Sequence, residues 1–410
     1  MPDNPDILLI ERGLLEHRPL SRFRSIFRYR TGLLSEWERI RLEFPTSRLL
    51  YYHPDAELEG LFSRTLGATP LQSLSPGDPL HLAASDRGRP EQEIQQLSQK
   101  SGIEIKTSSR LSLFRVLDDI SGLIQEDLDL IRQSQQADTD SRSGKVSDIE
   151  SARWQWLSGP YHSLEGVQVL GNPGNLMVHP TCEIGPAVVL DVREGPVILD
   201  EDVRISPFSF IEGPLYAGPG CRLDNLRLTG GNLLGAGCRL GGEIENCIIG
   251  DFTNKHHEGF LGHSILGSWI NLGALSTTSD LKNNYGEIRL KLPVDQFPDY
   301  DSEIVEVSTG RIKFGSILGD CVKTAIGTMV NTGTVLDAGS NVFGGHPPKY
   351  LYPLSWGLSG RRYQTDRFLA DCEKIFARRN QSVESEMPTL VHRLVSGNSP
   401  ESMDFLGDGI

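Results

Sequence analysis

CEIGPA (182–187), VRISPF (203–208), SFIEGP (209–214), LYAGPG (215–220), LLGAGC (233–238), ILGSWI (265–270) and ILGDCV (317–322) share one texture. An aliphatic residue recurs about every six positions and is followed by Gly, Pro, Asp or another turn former. This period suits a parallel β-helix with triangular coils, in which each flat face is a short strand and each corner takes a small or permissive residue. Set in register, Ile184, Val188, Ile198, Ile205, Ile211, Leu223, Leu234, Ile249, Leu266 and Leu272 are the expected inward markers. The phase resumes at Leu318, Val330 and Leu336. Three such units make one coil, so 176–345 less its insertions holds roughly eight or nine coils. A β-sandwich would show wider turn spacing and period-two alternation. The period does not give the handedness.

Two stretches interrupt the repeat: 251–263, and a long excursion at 276–311. Loops extruded from a rigid scaffold are where binding groups are commonly placed. The first stretch lies largely within TNKHHEGFLGHS (253–264), where His256, His257 and His263 stand near Lys255 and Glu258. Spacing alone leaves three readings open. These are a polar loop, a zinc site built from neutral imidazoles, and an acid–base centre.

The rest of the chain has a different character. Within 1–115, ILLI (7–10), RLLYY (48–52) and IEIK (103–106) alternate with helical or polar stretches, as in a small α/β unit. Apolar residues recur at helical spacing over 116–133, and 135–151 reads as a solvated linker. Past 346 the chain leaves the repeats, and 362–381 predicts a helix with Phe368, Leu369, Cys372 and Phe376 on one side. The expected organisation is an α/β domain (1–133), a linker (134–164), a β-helix (165–350) and a C-terminal helical extension (351–410).

Composition narrows the function. The 410 residues carry 40 basic and 54 acidic side chains, a net charge of -14. That argues against a nucleic-acid binder, which needs a basic face. The six cysteines form no C-x-x-C pair and read as reduced thiols of a cytoplasmic protein. The start of the chain lacks a signal-peptide pattern, and no run is long enough to span a bilayer.

The repeats resemble those of the left-handed β-helix acyltransferases. HEGFLGHSILGSWINLGA followed by NNYG resembles the acetyltransferase half of the bifunctional N-acetylglucosamine-1-phosphate uridyltransferases. NKHHEGFLGHS, LKNNYG and NVFGGHPPK together resemble the GlmU-like sugar nucleotidyltransferases. PLSRFRSIFRYRTG (19–32) is similar to a segment of that branch at Pro19, Leu20, Arg24, Arg30 and Gly32.

The resemblance implies an α/β domain followed by a left-handed parallel β-helix, assembled as a homotrimer with its site between neighbouring β-helices. It implies acyl transfer from acetyl-CoA to a sugar phosphate or nucleotide sugar. His257 matches the general base, a role suited to imidazole with its unperturbed pKa of about 6.5. Asn271 matches an acceptor contact, Ala274 a coenzyme contact, and Asn284 and Tyr285 a pair near both substrates. Phe260 stands where the family often has a tyrosine that holds sugar phosphate. Lys255 and Lys282 are candidate substrate contacts, and Lys323 a candidate coenzyme contact. The amino-terminal unit lacks the Gly-rich phosphate loop of a nucleotidyltransferase. Either Arg18, Arg22, Arg24 and Arg30 bind phosphate by charge, with Mg2+ at an active site, or this domain is degenerate. A non-catalytic trimeric scaffold that binds a nucleotide sugar is the remaining alternative.

Overall fold

The computed structural model describes residues 5–10, 19–23, 28–44, 47–53, 56–74, 103–107, 113–140, 153–158, 165–295, 298 and 301–395. Backbone contacts divide the chain into two units. One takes Met1–Leu14, Arg24–Ser112 and Gln125–Gln155, and the other Leu15–Phe23, Leu113–Ile124 and Trp156–Ile410.

In the first unit the three apolar runs are strands. Ile7–Ile10 (β1), Leu49–Tyr52 (β2), Thr69–Pro70 (β3) and Glu104–Thr107 (β4) form one parallel sheet in the order β3-β2-β1-β4. Helices α1 (Glu36–Glu43) and α2 (Ala56–Thr65) alternate with them. Ser35 and Glu38 close a reciprocal capping box at the start of α1, satisfying donors that a helix end leaves open. Arg39 grips the buried Asp127 with Nε at 2.6 Å and Nη2 at 3.0 Å. A Cβ at Gly32 would collide with that carboxylate, so the close approach requires glycine here.

The second unit is built from short parallel strands. One nine-stranded ladder runs in chain order through 176–178, 197–199, 215–217, 232–234, 248–249, 265–266, 316–318, 334–336 and 350–351. Each strand pairs with the strand one turn of chain away: Leu215 with Val197 and Asn232, Ile248 with Leu233 and Ile265. A second nine-stranded sheet is also made of parallel pairs, among them Phe210–Val189 and Leu240–Lys255. The aliphatic markers fall between these sheets, where Val188, Ile205, Ile211, Leu223, Leu234, Ile249, Leu266, Leu318 and Leu336 pack into one core. The later excursion contains an antiparallel hairpin, Arg289–Pro293 with Ile304–Ser308. Ile265 nevertheless pairs directly with Ile317, so the ladder closes across the insertion.

Three expectations need correction. Ile198 and Val330 are buried but lie outside that core. In Val197–Leu199 the flanking residues point inward, and strand alternation sends Ile198 to the other surface of the sheet. The corners are not reserved for small residues. Phe208, Phe252, Trp269 and Leu275 all have φ between 58° and 65°. At three of them the backbone amide is fixed by the preceding turn: Phe252 N to Ala236 O at 2.7 Å, Trp269 N to Asp251 O at 2.8 Å and Leu275 N to Glu258 O at 3.0 Å. Such bonding over-determines a conformation that a bulky side chain would otherwise avoid. Finally, the helical stretch after the first unit's strands is two helices, Leu113–Asp118 (α3) and Ile120–Asp140 (α4). The second enters the expected linker. The Asp119 side chain accepts from Gly122 N at 3.0 Å, capping α4. The helix expected over 362–381 is Thr365–Ala377 (α5), and Met387–Val395 (α6) follows.

Candidate functional site

TNKHHEGFLGHS does not leave the ladder. Asn254–Lys255 pairs with Arg239–Leu240, and Phe260–Gly262 pairs with Glu243–Glu245 on the next face. Only the corner between them is widened, and it carries His256, His257 and Glu258. Lys255 occupies the register position that Leu240 and Leu223 fill on the preceding turns. It is therefore an inward residue, 2% exposed. Its ammonium donates to Gly241 O at 2.8 Å and His257 O at 2.6 Å. Burial lowers its pKa to about 8. The side chain expected to touch substrate is instead an internal strut under the histidine corner.

The three histidines are separated by structure. His257 is exposed, its ring 5.2 Å from that of His256. His256 Nδ1 faces Asp224 at 3.6 Å. His263 is buried, with Nδ1 held at 2.7 Å by Asp280 and Nε2 at 3.9 Å from Glu245. That hydrogen bond holds the Asp280 carboxyl below its usual range. Among the described residues no group of three or more His, Cys, Asp or Glu side chains could hold a metal ion.

The corner of His257 stacks on that of Ala274. Leu275 N donates to Glu258 O at 3.0 Å, and Gly327 N to Ala274 O at 2.8 Å. On the adjoining face Asn254, Asn271 and Lys323 stand in successive turns. The Asn254 amide donates to Asn271 Oδ1 at 2.8 Å. Asn271 and Lys323 line one cleft of about 450 Å³. Asn284 and Tyr285 form an exposed turn, Tyr285 with φ 54°, in which Asn284 Oδ1 accepts from Gly286 N. Lys282 Nζ donates to Glu287 O at 2.6 Å, which makes it a brace of this turn. Phe260 is half-buried, its amide donating to Thr277 Oγ1 at 3.3 Å.

The arginines read as phosphate ligands divide. Arg18 and Arg24 lie outside the described residues. Arg30 stands 3.7 Å from the Glu38 carboxylate. Arg22 is buried against Asp337, with Nε at 3.1 Å and Nη2 at 2.8 Å. It is committed to an internal ion pair, which corrects the expectation that it meets phosphate. Two groupings escape sequence reading. One is the His263–Asp280 pair, whose members lie one turn apart. The other is the set of cations around the Asn271 cleft, which come from distant parts of the chain.

Comparison with known proteins finds relatives over part of the chain. Bifunctional protein GlmU of Stenotrophomonas maltophilia (strain K279a) is 27% identical over 172 residues, 36% of this chain and 37% of that protein. The protein of the same name from Acaryochloris marina (strain MBIC 11017) is 29% identical over 136 residues, 28% of this chain and 30% of the relative. That of Nostoc sp. (strain PCC 7120) is 26% identical over 147 residues, 31% of each chain. No family model matches the sequence. The chain spans about a third of the length of these curated relatives, and over that third its resemblance is to the GlmU-like family.

Proposed function

We propose that the chain is an acyltransferase, a left-handed parallel β-helix assembled as a homotrimer. It transfers an acetyl group from acetyl-CoA to a sugar phosphate or nucleotide sugar. One observation carries this reading: an exposed imidazole, His257, on a corner whose backbone is pinned from inside by Lys255. In the reaction His257 takes the proton from the acceptor amine or hydroxyl as that group attacks the thioester carbonyl. Backbone amides at the corners stabilise the oxyanion until coenzyme A leaves as the thiolate and is reprotonated. Asn271 and Ala274 hold acceptor and coenzyme, with Asn284 and Tyr285 supplied across a subunit boundary.

The apolar edge beside this corner supports the trimer. Leu275, Ile326 and Met329 are 60%, 76% and 56% exposed on neighbouring turns, more than isolated surface residues would explain. The test is acetyl transfer from acetyl-CoA across a panel of amino-sugar and hydroxy-sugar phosphates. Turnover should fall by about 10²- to 10⁴-fold in His257→Ala, and undiminished turnover in that variant would remove His257 from its role.

A further inference from the structure

One cleft of the ladder unit gathers four cations and no counter-charge. Arg239 and Lys323 stand on one strand face with Asn254 and Asn271, while Arg378 and Arg379 follow directly on α5 and line the same cleft. Among the described residues none of the four makes an ion pair. Other arginines of the same sheet behave differently: Arg204 pairs with Glu183 at 3.2 Å and Arg227 with Glu243 at 2.6 Å.

The few bonds these cations make are to backbone. Arg379 Nη1 donates to Gly237 O at 3.2 Å, and Lys323 Nζ to Cys321 O at 3.4 Å. Arg239 Nε is buried without a hydrogen-bond partner, a state that costs free energy unless something supplies an acceptor. Burial, and then the neighbouring Arg239, hold the Arg379 guanidinium below its ordinary pKa. An acidic chain of net charge -14 therefore concentrates unneutralised positive charge at one concave place, where fields focus on anions.

The walls say what kind of anion. Trp269 is sandwiched between Phe252 at 4.4 Å and Phe376 at 3.8 Å, both stacked. Neither face of its ring is open to a nucleobase. What the cleft offers is charge from the strands and from the end of α5, plus the Asn254 and Asn271 amides, in about 450 Å³. A single phosphate would leave most of that space unfilled.

We infer that this cleft binds the pyrophosphate group of a nucleotide-linked ligand, through Arg239, Lys323, Arg378 and Arg379. Coenzyme A and a nucleotide sugar both carry that group. The inference rests on the acyltransferase reading only in sharing Asn271 and Lys323 with it. Calorimetric titration of the full-length chain with inorganic pyrophosphate, coenzyme A and UDP tests it at low and high salt.

Saturable pyrophosphate binding is expected, weakened by salt. It should fall by about tenfold or more in Lys323→Gln/Arg378→Gln. Arg378 is exposed, so Arg378→Gln alone gives a smaller loss without risk to the fold. Arg204→Gln, outside the cleft, should bind as wild type. Tighter binding of coenzyme A than of UDP makes the coenzyme the source, and the reverse order makes it the nucleotide sugar. His257→Ala should bind pyrophosphate normally, so failure of the acyl-transfer reading and failure of this one are distinguishable. No saturable binding, or equal binding by a folded double variant, overturns the inference.

Discussion

Lys255 Nζ lies 2.6 Å from the carbonyl oxygen of His257, so an ammonium inside the ladder holds the backbone of an imidazole outside it. The arrangement has a cost that depends on pH. Burial lowers the lysine from 10.5 to about 8, so the folded chain releases a proton that the unfolded chain still holds between those values. Stability contributed by this site is therefore lowest below pH 8 and recovers as pH rises toward 10.5. Lys255→Met removes the term and fits a column otherwise filled by leucine. At pH 7 the variant should melt at or above the wild-type temperature. The wild type should gain on it between pH 7 and pH 10, and a constant gap in melting temperature would contradict the dehydrated ammonium. Turnover through His257 should fall in the same variant, because its corner loses the tether.

Asp280 gives the opposite sign. Its hydrogen bond to His263 holds its folded pKa below the ordinary 3.8. A depressed carboxylate stabilises the fold above the unfolded value, and that stability is lost as pH falls through the folded one. Asp280→Asn should therefore melt below wild type at pH 7, with the gap closing toward pH 3. Thermal melts across that range decide it. A gap independent of pH would mean that the carboxylate does not act through its charge.

How legible these features were depends on what each residue shares with its neighbours along the chain. The parallel ladders were readable because Ile205, Leu223 and Leu234 repeat one chemistry at one period, and burying aliphatic side chains is what the core requires. Lys255 concealed the same register. A lysine at an inward position removes the apolar signal, so a continuous turn looked like an interruption. Phe252 and Trp269 hid corners for a related reason: hydrogen bonds from the adjoining turns, which local sequence does not contain, force their backbones. Of the cleft's cations Lys323 alone was a candidate from sequence; Arg239, Arg378 and Arg379 follow no local pattern. Arg239 and Arg379 meet only once α5 has folded back onto the ladder.

Arg22 shows how far charge read along the chain can mislead. Its charge among neighbouring arginines suggested a phosphate ligand, yet it is buried on Asp337, whose Oδ2 accepts both from Arg22 Nη2 at 2.8 Å and from Tyr350 Oη at 2.7 Å. Arg22→Ala would leave that carboxylate buried without its guanidinium. A loss of about 3–5 kcal/mol is expected, measured by urea unfolding. Arg22→Met, which fills the volume, still strands Asp337 and should cost nearly as much. Pairing it with Asp337→Leu should restore part of the loss. Equal stability of Arg22→Ala and wild type would show the pair to be idle.

The exposed edge of Leu275, Ile326 and Met329 carries the last prediction. Ile326 is 76% exposed in the single chain, so Ile326→Glu should leave the folded subunit intact. If that edge is the subunit contact, three symmetry-related glutamates would bring like charges into an apolar interface, at a cost of several kcal/mol per trimer. Light scattering after size-exclusion chromatography should then find a trimer for the wild type and a monomer for Ile326→Glu, with circular dichroism unchanged. Acyl transfer should disappear with the trimer while His257 remains in place, because the proposed site takes Asn284 and Tyr285 from a neighbouring subunit. A variant that stays trimeric, or a monomer that still turns over, would locate the contact or the complete site elsewhere.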